Sequence, residues 1–225
     1  MGRKKLPDKE FVWTPQLAYA VGLIVTDGCL SSDGRHIIMR SSDKQLLETY
    51  RKCLDIYHCK IGKTGGSGYT NNDSYRVQHG DVQLYRWLRR IGVPKNKTYD
   101  IGRLHIPDNI FPDFLRGHLD GDGSITTYLD TYNTFKNPKY IYRRLWVRFL
   151  SANKSHVSWL QEKISTNINV VGRIHTRVPK DANRTNMHIL KFGKKDSIKL
   201  LEYMYYREDI PCLNRKKTIA EKFIG

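Results

Sequence analysis

Two stretches of the sequence share one pattern. AVGLIVTDG runs from Ala20 to Gly28, and LRGHLDGDG runs from Leu115 to Gly123. Small residues recur at four-residue spacing in and beside them: Ala18, Gly22 and Thr26 in the first, Gly117 and Gly121 in the second. On a helix this spacing makes one stripe of small residues, and such stripes allow two helix backbones to touch. Glycine inside a helix costs about 1 kcal/mol relative to alanine. Its use here therefore predicts a close helix pair.

Each stretch ends in an aspartate followed by glycine, at Asp27 and Asp122. If the two stripes pack together, both carboxylates meet at helix C-termini, where the free carbonyls and the helix dipole are already negative. Two carboxylates repel each other there unless a cation lies between them, and oxygen ligands with partial hydration suit Mg²⁺. The predicted metal ligands are the two aspartates with the adjacent Thr26 and Gly121. The glycines after the aspartates predict left-handed caps that end the helices.

The composition favours a nucleic-acid partner. The 225 residues include 39 Lys and Arg against 22 Asp and Glu, a net charge of +17 that is spread along the chain. Lysine and arginine release condensed counterions from phosphates, so a polyanion is the expected partner. The 39% hydrophobic content argues against wholesale disorder. No apolar run approaches the roughly 18 residues of a membrane span, and no secretory signal is visible. We therefore expect an intracellular protein without a membrane partner.

The chain reads as two unequal copies of one pattern. After each Asp-Gly comes a serine-containing segment and an amphipathic run, at Ser41 and again at Ser151, and later glycines repeat in the same order. Each copy reads as helix, two strands, helix, two strands, helix, with strand alternation clearest in residues 37–40, 146–150 and 187–192. The second copy is longer by about 15 residues in its first hairpin, where insertions are tolerated. The predicted division is 1–106 and 107–225.

The two motifs resemble the paired signature motifs of the LAGLIDADG homing endonucleases, and the resemblance covers nearly the whole chain. It implies an α+β fold of two pseudo-symmetric αββαββα halves, each with a curved antiparallel sheet, joined through the paired motif helices. It also implies a monomer that needs no protein partner and lays its sheets into the major groove of a long double-stranded DNA target. The implied reaction is a staggered double-strand break, with Asp27 and Asp122 binding catalytic Mg²⁺. Mn²⁺ is expected to substitute, and Ca²⁺ to bind without supporting efficient cleavage.

The sequence departs from the family pattern in one motif and leaves one register open. Val25 stands where the family often has an acid, whereas Asp120 keeps it. The family often has a basic residue near the scissile phosphates, and Lys97 and Lys216 are the candidates for this catalytic role. A strict repeat alignment pairs Lys97 with Lys217 instead, so the two alternatives stay open at this point.

Polar side chains on the strands are the candidates for reading DNA. A two-stranded β-ribbon fits the major groove, and alternate residues on one face reach base edges. The candidates in the first copy are Ser32, Arg35, Arg40, Lys63, Tyr69, Tyr75, Arg76 and Gln78. Those in the second copy are Thr126, Tyr128, Arg143, Arg148, Arg173, His175, Arg177, His188 and Lys191.

Three functions fit these features. The first is a metal-dependent, site-specific DNA endonuclease. The second is an RNA-splicing maturase or a non-cleaving DNA-binding protein on the same scaffold. The third is a generic basic nucleic-acid-binding protein, which explains the charge but not the paired motifs. Because a pure binding protein needs neither Asp27 nor Asp122, the presence of both favours the enzyme.

Overall fold

A computed structural model describes residues 7–64, 73–181 and 183–224. The helices are α1 (Pro15–Thr26), α2 (Lys44–Leu54), α3 (Val82–Arg90), α4 (Lys97–Asp100), α5 (Phe111–Gly121), α6 (Lys154–Ile168), α7 (Lys194–Met204) and α8 (Asn214–Ala220). The strands are β1 (Gly28–Leu30), β2 (His36–Ser41), β3 (Gly62–Thr64), β4 (Ser74–Gly80), β5 (Ser124–Asp130), β6 (Tyr142–Ser151), β7 (Arg173–Arg177) and β8 (Met187–Phe192). A single 3₁₀ turn, Asp108–Ile110, leads into α5.

The strands form two four-stranded antiparallel sheets with the same strand order. The first sheet is ordered β1-β2-β4-β3 and the second β5-β6-β8-β7. The sequence of helices and strands around each sheet is αββαββα, with the short helices α4 and α8 following the last helix of each copy. The predicted α+β class and repeat order are therefore confirmed. The division at residue 106 stays a prediction.

Strand alternation decides which face of each sheet is covered. In β2, Ile37 and Met39 are fully buried, and in β6 the same holds for Val147 and Phe149. The residues between them point to the other face, because successive strand side chains alternate. The helices α2 and α3 pack on the first sheet, and α6 and α7 pack on the second. In the part of the chain that the structure describes, one face of each sheet is thus left without a helical layer.

The motif helices α1 and α5 form the most extensive contact between helices, and glycine makes it possible. A Cβ added at Gly117 would lie 2.1 Å from the backbone oxygen of Tyr19, and one added at Gly22 would lie 2.3 Å from that of Phe114. Real Cβ atoms essentially never come within 3.0 Å of another heavy atom. The two backbones touch at these positions, as the four-residue spacing of small residues predicts.

The glycines after the aspartates serve a different purpose from the one predicted. Gly28 and Gly123 have no left-handed backbone; Gly34 and Gly92 are the only glycines of the described residues that do. A Cβ on Gly28 would lie 2.6 Å from the Cα of Ile24, and one on Gly123 would lie 2.8 Å from the Cα of Leu119. The chain therefore turns back tightly against the last turn of its own helix, and glycine is required by this contact.

The longer first hairpin of the second copy is present as predicted. Its extra residues are shared between the longer strands β5 and β6 and the turn of residues 131–141. Strand β7 covers only the five residues Arg173–Arg177. Within the described residues, no helix is both long and apolar enough to cross a membrane.

Candidate functional site

The two motif aspartates follow the last residues of the paired helices. Asp27 is the C-cap of α1, where its N–H donates to Leu23 O at 2.9 Å, and Asp122 is the C-cap of α5. Burial and, next, the nearby charge of Asp122 raise the pKa of Asp27 to about 7, against the lowering effect of Lys97 and Lys216. Partial burial also raises the pKa of Asp122, which is more exposed than Asp27. The carboxylates are therefore close enough to repel each other.

Two lysines bind the backbone carbonyls at the ends of the same two helices. Lys97 Nζ donates to the oxygens of Ile24, Val25 and Thr26 at 2.7, 3.0 and 2.7 Å. These are the free carbonyls of the last turn of α1, where a cation is favoured by the helix dipole. Burial lowers the pKa of Lys97 to about 8, against the opposing charges of Asp122 and Asp27.

Lys216 repeats this arrangement at the end of α5. Its Nζ donates to the oxygens of Leu119, Asp120 and Gly123, the last two at 3.0 and 2.8 Å. Burial lowers the pKa of Lys216 to about 8, and the charge of Asp120 opposes this shift most strongly. The side chain is 3% exposed.

The contacts decide the register that the sequence left open. Lys97 and Lys216 share two equivalent acceptors, since the carbonyls of Ile24 and Val25 correspond to those of Leu119 and Asp120. These two lysines are therefore counterparts. Lys217 instead donates to Glu208 O at 3.1 Å and lies 3.7 Å from Glu221. The strict repeat alignment is therefore out of register by one residue at this end of the chain.

An ammonium group has three N–H donors, and both lysines use all three on backbone carbonyls at or just beyond the helix ends. Neither lysine has a spare N–H for a phosphate in this arrangement. The lysines provide positive charge and cap the helices here. A direct contact with a reacting group would require at least one of these hydrogen bonds to break.

The extra acid of the second motif is buried and is held by hydrogen bonds within the protein. Asp120 is buried, and its Oδ2 accepts from Tyr19 OH at 2.8 Å and from Leu213 N at 2.7 Å. Burial raises the pKa of Asp120 to about 6. At the equivalent position of the first motif, Val25 is buried among apolar neighbours. The two halves therefore differ locally behind the motif acids.

The donor atoms around Asp27 and Asp122 fit a hard divalent cation. Both are carboxylates, and their mutual repulsion would be relieved by a bound cation. Mg²⁺ is typically bound by one or two carboxylates, with water and substrate phosphates completing its shell. Among residues 7–64, 73–181 and 183–224, no cluster of three or more His, Cys, Asp or Glu side chains could hold a metal. Two aspartates are thus the carboxylate set that this site offers.

The open face of the second sheet carries a row of cations. Arg148 pairs directly with Lys191, and Lys191 pairs directly with Arg173, across three neighbouring strands. Ser124, two residues after Asp122, stands opposite Arg148 at the start of the row. Like charges directly opposite each other destabilise a sheet. Burial and the charge of Arg148 lower the pKa of Lys191. A polyanion placed over this row would relieve the repulsion.

The open faces contain most of the predicted DNA-binding residues. On the first sheet, Arg40 and Arg76 are paired neighbours and Gln78 follows on the same face. The residues on the open face of the second sheet are Thr126, Tyr128, Arg148, Arg173, His175, Arg177 and Lys191. Ser32 and Arg35 are exposed in the turn between β1 and β2. Tyr69 lies outside the described residues.

Four candidates lie on the other face and are corrected here. Tyr75 alternates with Arg76 and packs partly buried against the core. Lys63 stands opposite Tyr75 and lies 2.7 Å from Asp73. His188 shares the side of Leu190, and Arg143 shares the side of Leu145. In each case the side-chain alternation of the strand turns the residue away from the open face.

Two residues on the open face were missed. Arg144 stands opposite Tyr128 and pairs with Asp130 at 2.7 Å, and Trp146 lies under Lys191, whose Nζ is 3.6 Å from the ring centroid. Leu145 and Val147 are apolar residues at alternate positions of the strand, and this pattern already predicts that Arg144 and Trp146 face the opposite side of the sheet. The hairpin turn between β5 and β6 also exposes aromatic rings, with Tyr132 and Phe135 in edge-to-face contact.

Solved structures share this fold at low sequence identity. The homing endonuclease I-WcaI bound to its DNA recognition sequence is 15% identical, with a TM-score of 0.59 over 92% of this chain and 88% of its own. I-DmoI in complex with DNA and Mn is 16% identical, with a TM-score of 0.53 over 86% and 98%. Full-length DUF199/WhiA from Thermatoga maritima is 14% identical, with a TM-score of 0.54 over 95% and 68%.

No protein-family model and no curated protein sequence matches the chain. The structural neighbours show that it has the fold of LAGLIDADG homing endonucleases. The same fold occurs in the N-terminal LAGLIDADG domain of DUF199/WhiA. Because one fold hosts different functions, the function must be argued from the site.

Proposed function

We propose that this chain is a site-specific DNA endonuclease that makes a staggered double-strand break in a long, asymmetric target by divalent-metal-dependent hydrolysis. The observation that carries the proposal is the pairing of Asp27 and Asp122 at adjacent helix ends, where the charge of one raises the pKa of the other. Such a carboxylate pair destabilises the metal-free protein. A reaction that requires a bound divalent cation would explain why two carboxylates that repel each other lie side by side.

The two aspartates would hold the metal, with the backbone of Thr26 and Gly121 beside them. When bound, the metal would stabilise charge on the phosphate and activate water. Lys97 and Lys216 hold the helix ends in place and supply two positive charges beside the acids. Because their N–H groups are all engaged, their first contribution is electrostatic, as fixed charges aimed at a region where negative charge develops.

Binding would come from the open faces of the two sheets. The cationic row of Arg173, Lys191 and Arg148 leads towards Asp122. On the first sheet, the backbone N–H of Arg40 donates to the backbone carbonyl oxygen of Asp27 at 3.4 Å. Phosphates held on these faces would therefore lie close to the carboxylate pair. Since both motif helices belong to one chain, the proposed enzyme acts as a monomer on two unlike half-sites.

The test is a cleavage selection on a randomised duplex DNA library with Mg²⁺, with Ca²⁺ as a control for binding alone. On the selected target, Asp27→Asn and Asp122→Asn should each reduce double-strand cleavage at least about a hundredfold, since a metal ligand supports several kcal/mol of transition-state stabilisation. Binding should change little. Asp100→Asn, at an exposed carboxylate of α4, is the matched control. Full cutting by either motif variant would remove the carboxylate pair from the reaction.

A non-cleaving nucleic-acid-binding protein, which includes a maturase, is the second candidate. The full engagement of Lys97 and Lys216 with helix carbonyls favours it, because these lysines are bound as structural caps. It predicts that the library yields bound sequences with both metals and cut sequences with neither. Selection of cut DNA that depends on Mg²⁺ decides for the enzyme.

A further inference from the structure

The segment that carries Lys97 caps one motif helix and is anchored on the opposite sheet. Lys97 begins α4 and caps α1, which leads into the first sheet. Two residues later, Tyr99 O accepts from Asn153 Nδ2 at 2.7 Å. Asn153 is the N-cap of α6, which packs on the second sheet. The lysine segment therefore spans both parts of the molecule.

The segment that carries Lys216 makes the reciprocal connection. Lys216 lies in α8 and caps α5, which leads into the second sheet. The preceding residue, Arg215, donates through Nε to Asp43 Oδ2 at 3.2 Å. Asp43 is the N-cap of α2, which packs on the first sheet. Each lysine is thus held from the half that it does not cap.

Gln45 strengthens the second anchor. Its Oε1 accepts from Asn214 N at 3.1 Å, and its Nε2 donates to Cys212 O at 3.2 Å. The side chain therefore binds the backbone on both sides of Leu213, three residues before Lys216. His156 plays a comparable part in the first anchor, where its Nδ1 lies 2.8 Å from Gly102 O.

Asp43 and Asn153 occupy equivalent positions of the two repeats. In each residue, one polar side-chain atom caps a helix and the other contacts the lysine segment of the opposite half. The Oδ1 of Asp43 accepts from Gln45 N at 3.2 Å, and the Oδ1 of Asn153 accepts from Ser155 N at 2.9 Å. These bonds cap the helices. The remaining atom, Oδ2 or Nδ2, faces the lysine segment of the other half. One residue thus combines a cap with an anchor.

We propose that Asp43 and Asn153 are positioning residues that act across the molecule, each keeping the lysine of the opposite half at its helix end. Both acid–lysine sites are then complete only when the two sheets are correctly docked. The value of this device for cleavage rests on the function proposed above. The anchoring itself is a property of the fold and can be measured without any reaction.

Two variants separate the anchor from the cap. Asn153→Asp keeps an oxygen for Ser155 N, but replaces the donating amide by an oxygen that repels Tyr99 O. Asp43→Asn keeps the cap oxygen, but removes the negative charge that holds Arg215. Aspartate and asparagine are equally good N-caps. Asp81→Asn is the matched control, because Asp81 caps α3 through Gln83 N and Leu84 N.

The readout is the rate at which an amine-acylating reagent modifies each lysine at pH 8, measured by peptide mass spectrometry on the folded protein. In Asn153→Asp the acylation of Lys97 should rise about fivefold, the factor for losing one ordinary hydrogen bond, and that of Lys216 should stay unchanged. Asp43→Asn should give the reverse pattern. Asp81→Asn should change neither lysine.

Equal rises at both lysines, a similar rise in Asp81→Asn, or no rise in any variant would overturn the proposal. If Asp43→Asn does not fold, Gln45→Ala keeps the test open, since alanine suits a helix and the change removes only contacts to residues 212–214. Strand-resolved nicking then tests the value for cleavage: Asn153→Asp should slow one strand and Asp43→Asn the other. If the protein shows the acylation pattern but never cuts DNA, the proposed endonuclease function is refuted and the proposed positioning role of Asp43 and Asn153 is supported.

Discussion

Gly117→Ala is the most direct perturbation of the helix pair on which the site depends. In an isolated helix this change would stabilise by about 1 kcal/mol. Here the added Cβ would lie 2.1 Å from Tyr19 O and 2.9 Å from Tyr19 C, whereas ordinary van der Waals contact begins at 3.4 Å. The shortfall to the oxygen is about 1.3 Å. The obstacle is backbone, so no side-chain rotation can relieve it.

The helices α1 and α5 must therefore move apart by about 1 Å along their contact. A gap of this size forfeits a quarter to a half of the dispersion energy of the atoms that line it. Overpacking in a well-packed core costs about 1–3 kcal/mol and occasionally more. Since backbone stands on both sides here, we expect a net loss of about 3 kcal/mol. For a protein of this size that corresponds to a fall in Tm of roughly 6–12 °C.

The assay is urea unfolding of the variant beside wild type and Gly102→Ala. Gly102 is the matched control, because an added Cβ would meet nothing within 4 Å there. The midpoint should fall for Gly117→Ala and stay near wild type for Gly102→Ala, with equal slopes for all three proteins. If Gly117→Ala is as stable as Gly102→Ala, the close backbone contact is refuted, and with it the reason that Asp27 and Asp122 meet.

Two further predictions concern charge. In a plot of the logarithm of the duplex-DNA binding constant against the logarithm of salt concentration, Arg148→Gln should make the negative slope shallower by about 0.9, the value for one phosphate contact. Lys195→Gln on α7 should leave the slope unchanged. Equal slopes in both variants would refute the cationic row. Burial lowers the pKa of His156 to about 4, whereas an unfolded histidine has a pKa of about 6.5. The unfolded state thus binds more protons between these values, so the contribution of this neutral histidine is complete above pH 6.5 and falls by about 3 kcal/mol as the pH drops through 4. Unfolding midpoints from pH 7.5 to 4 should therefore decline more steeply in wild type than in His156→Gln, and parallel curves would contradict the assignment.

The sequence predicted the fold correctly because the relevant signals are local and repeated. Small residues at four-residue spacing define one face of a helix wherever that helix lies, and the order of elements recurs in both copies. The signals that failed were also local. Left-handed caps were inferred for Gly28 and Gly123 from residue type, but the tight contact with their own helix explains both glycines.

Side-chain alternation along a strand decides which residues face the open side of each sheet. Arg143 and Arg144 are adjacent, and only their phase relative to buried Leu145 and Val147 separates them. That phase is readable from the sequence, as it is for Tyr75 beside Val77. What the sequence could not supply is the pairing across strands. The juxtaposition of Arg148, Lys191 and Arg173 depends on register, which joins residues far apart in the chain.

The sequence by itself determined the class of fold, the close helix pair with its two terminal acids and the strong positive charge. These follow from residue spacing and composition, which act over a few positions or over the whole chain. The tertiary structure alone decided that Lys216 rather than Lys217 caps α5, because neighbouring helical residues point about 100° apart and only packing fixes which one faces the helix end. It alone decided that Asp43 and Asn153 hold the opposite lysine segments, since those bonds join residues that only the docking of the two sheets brings together.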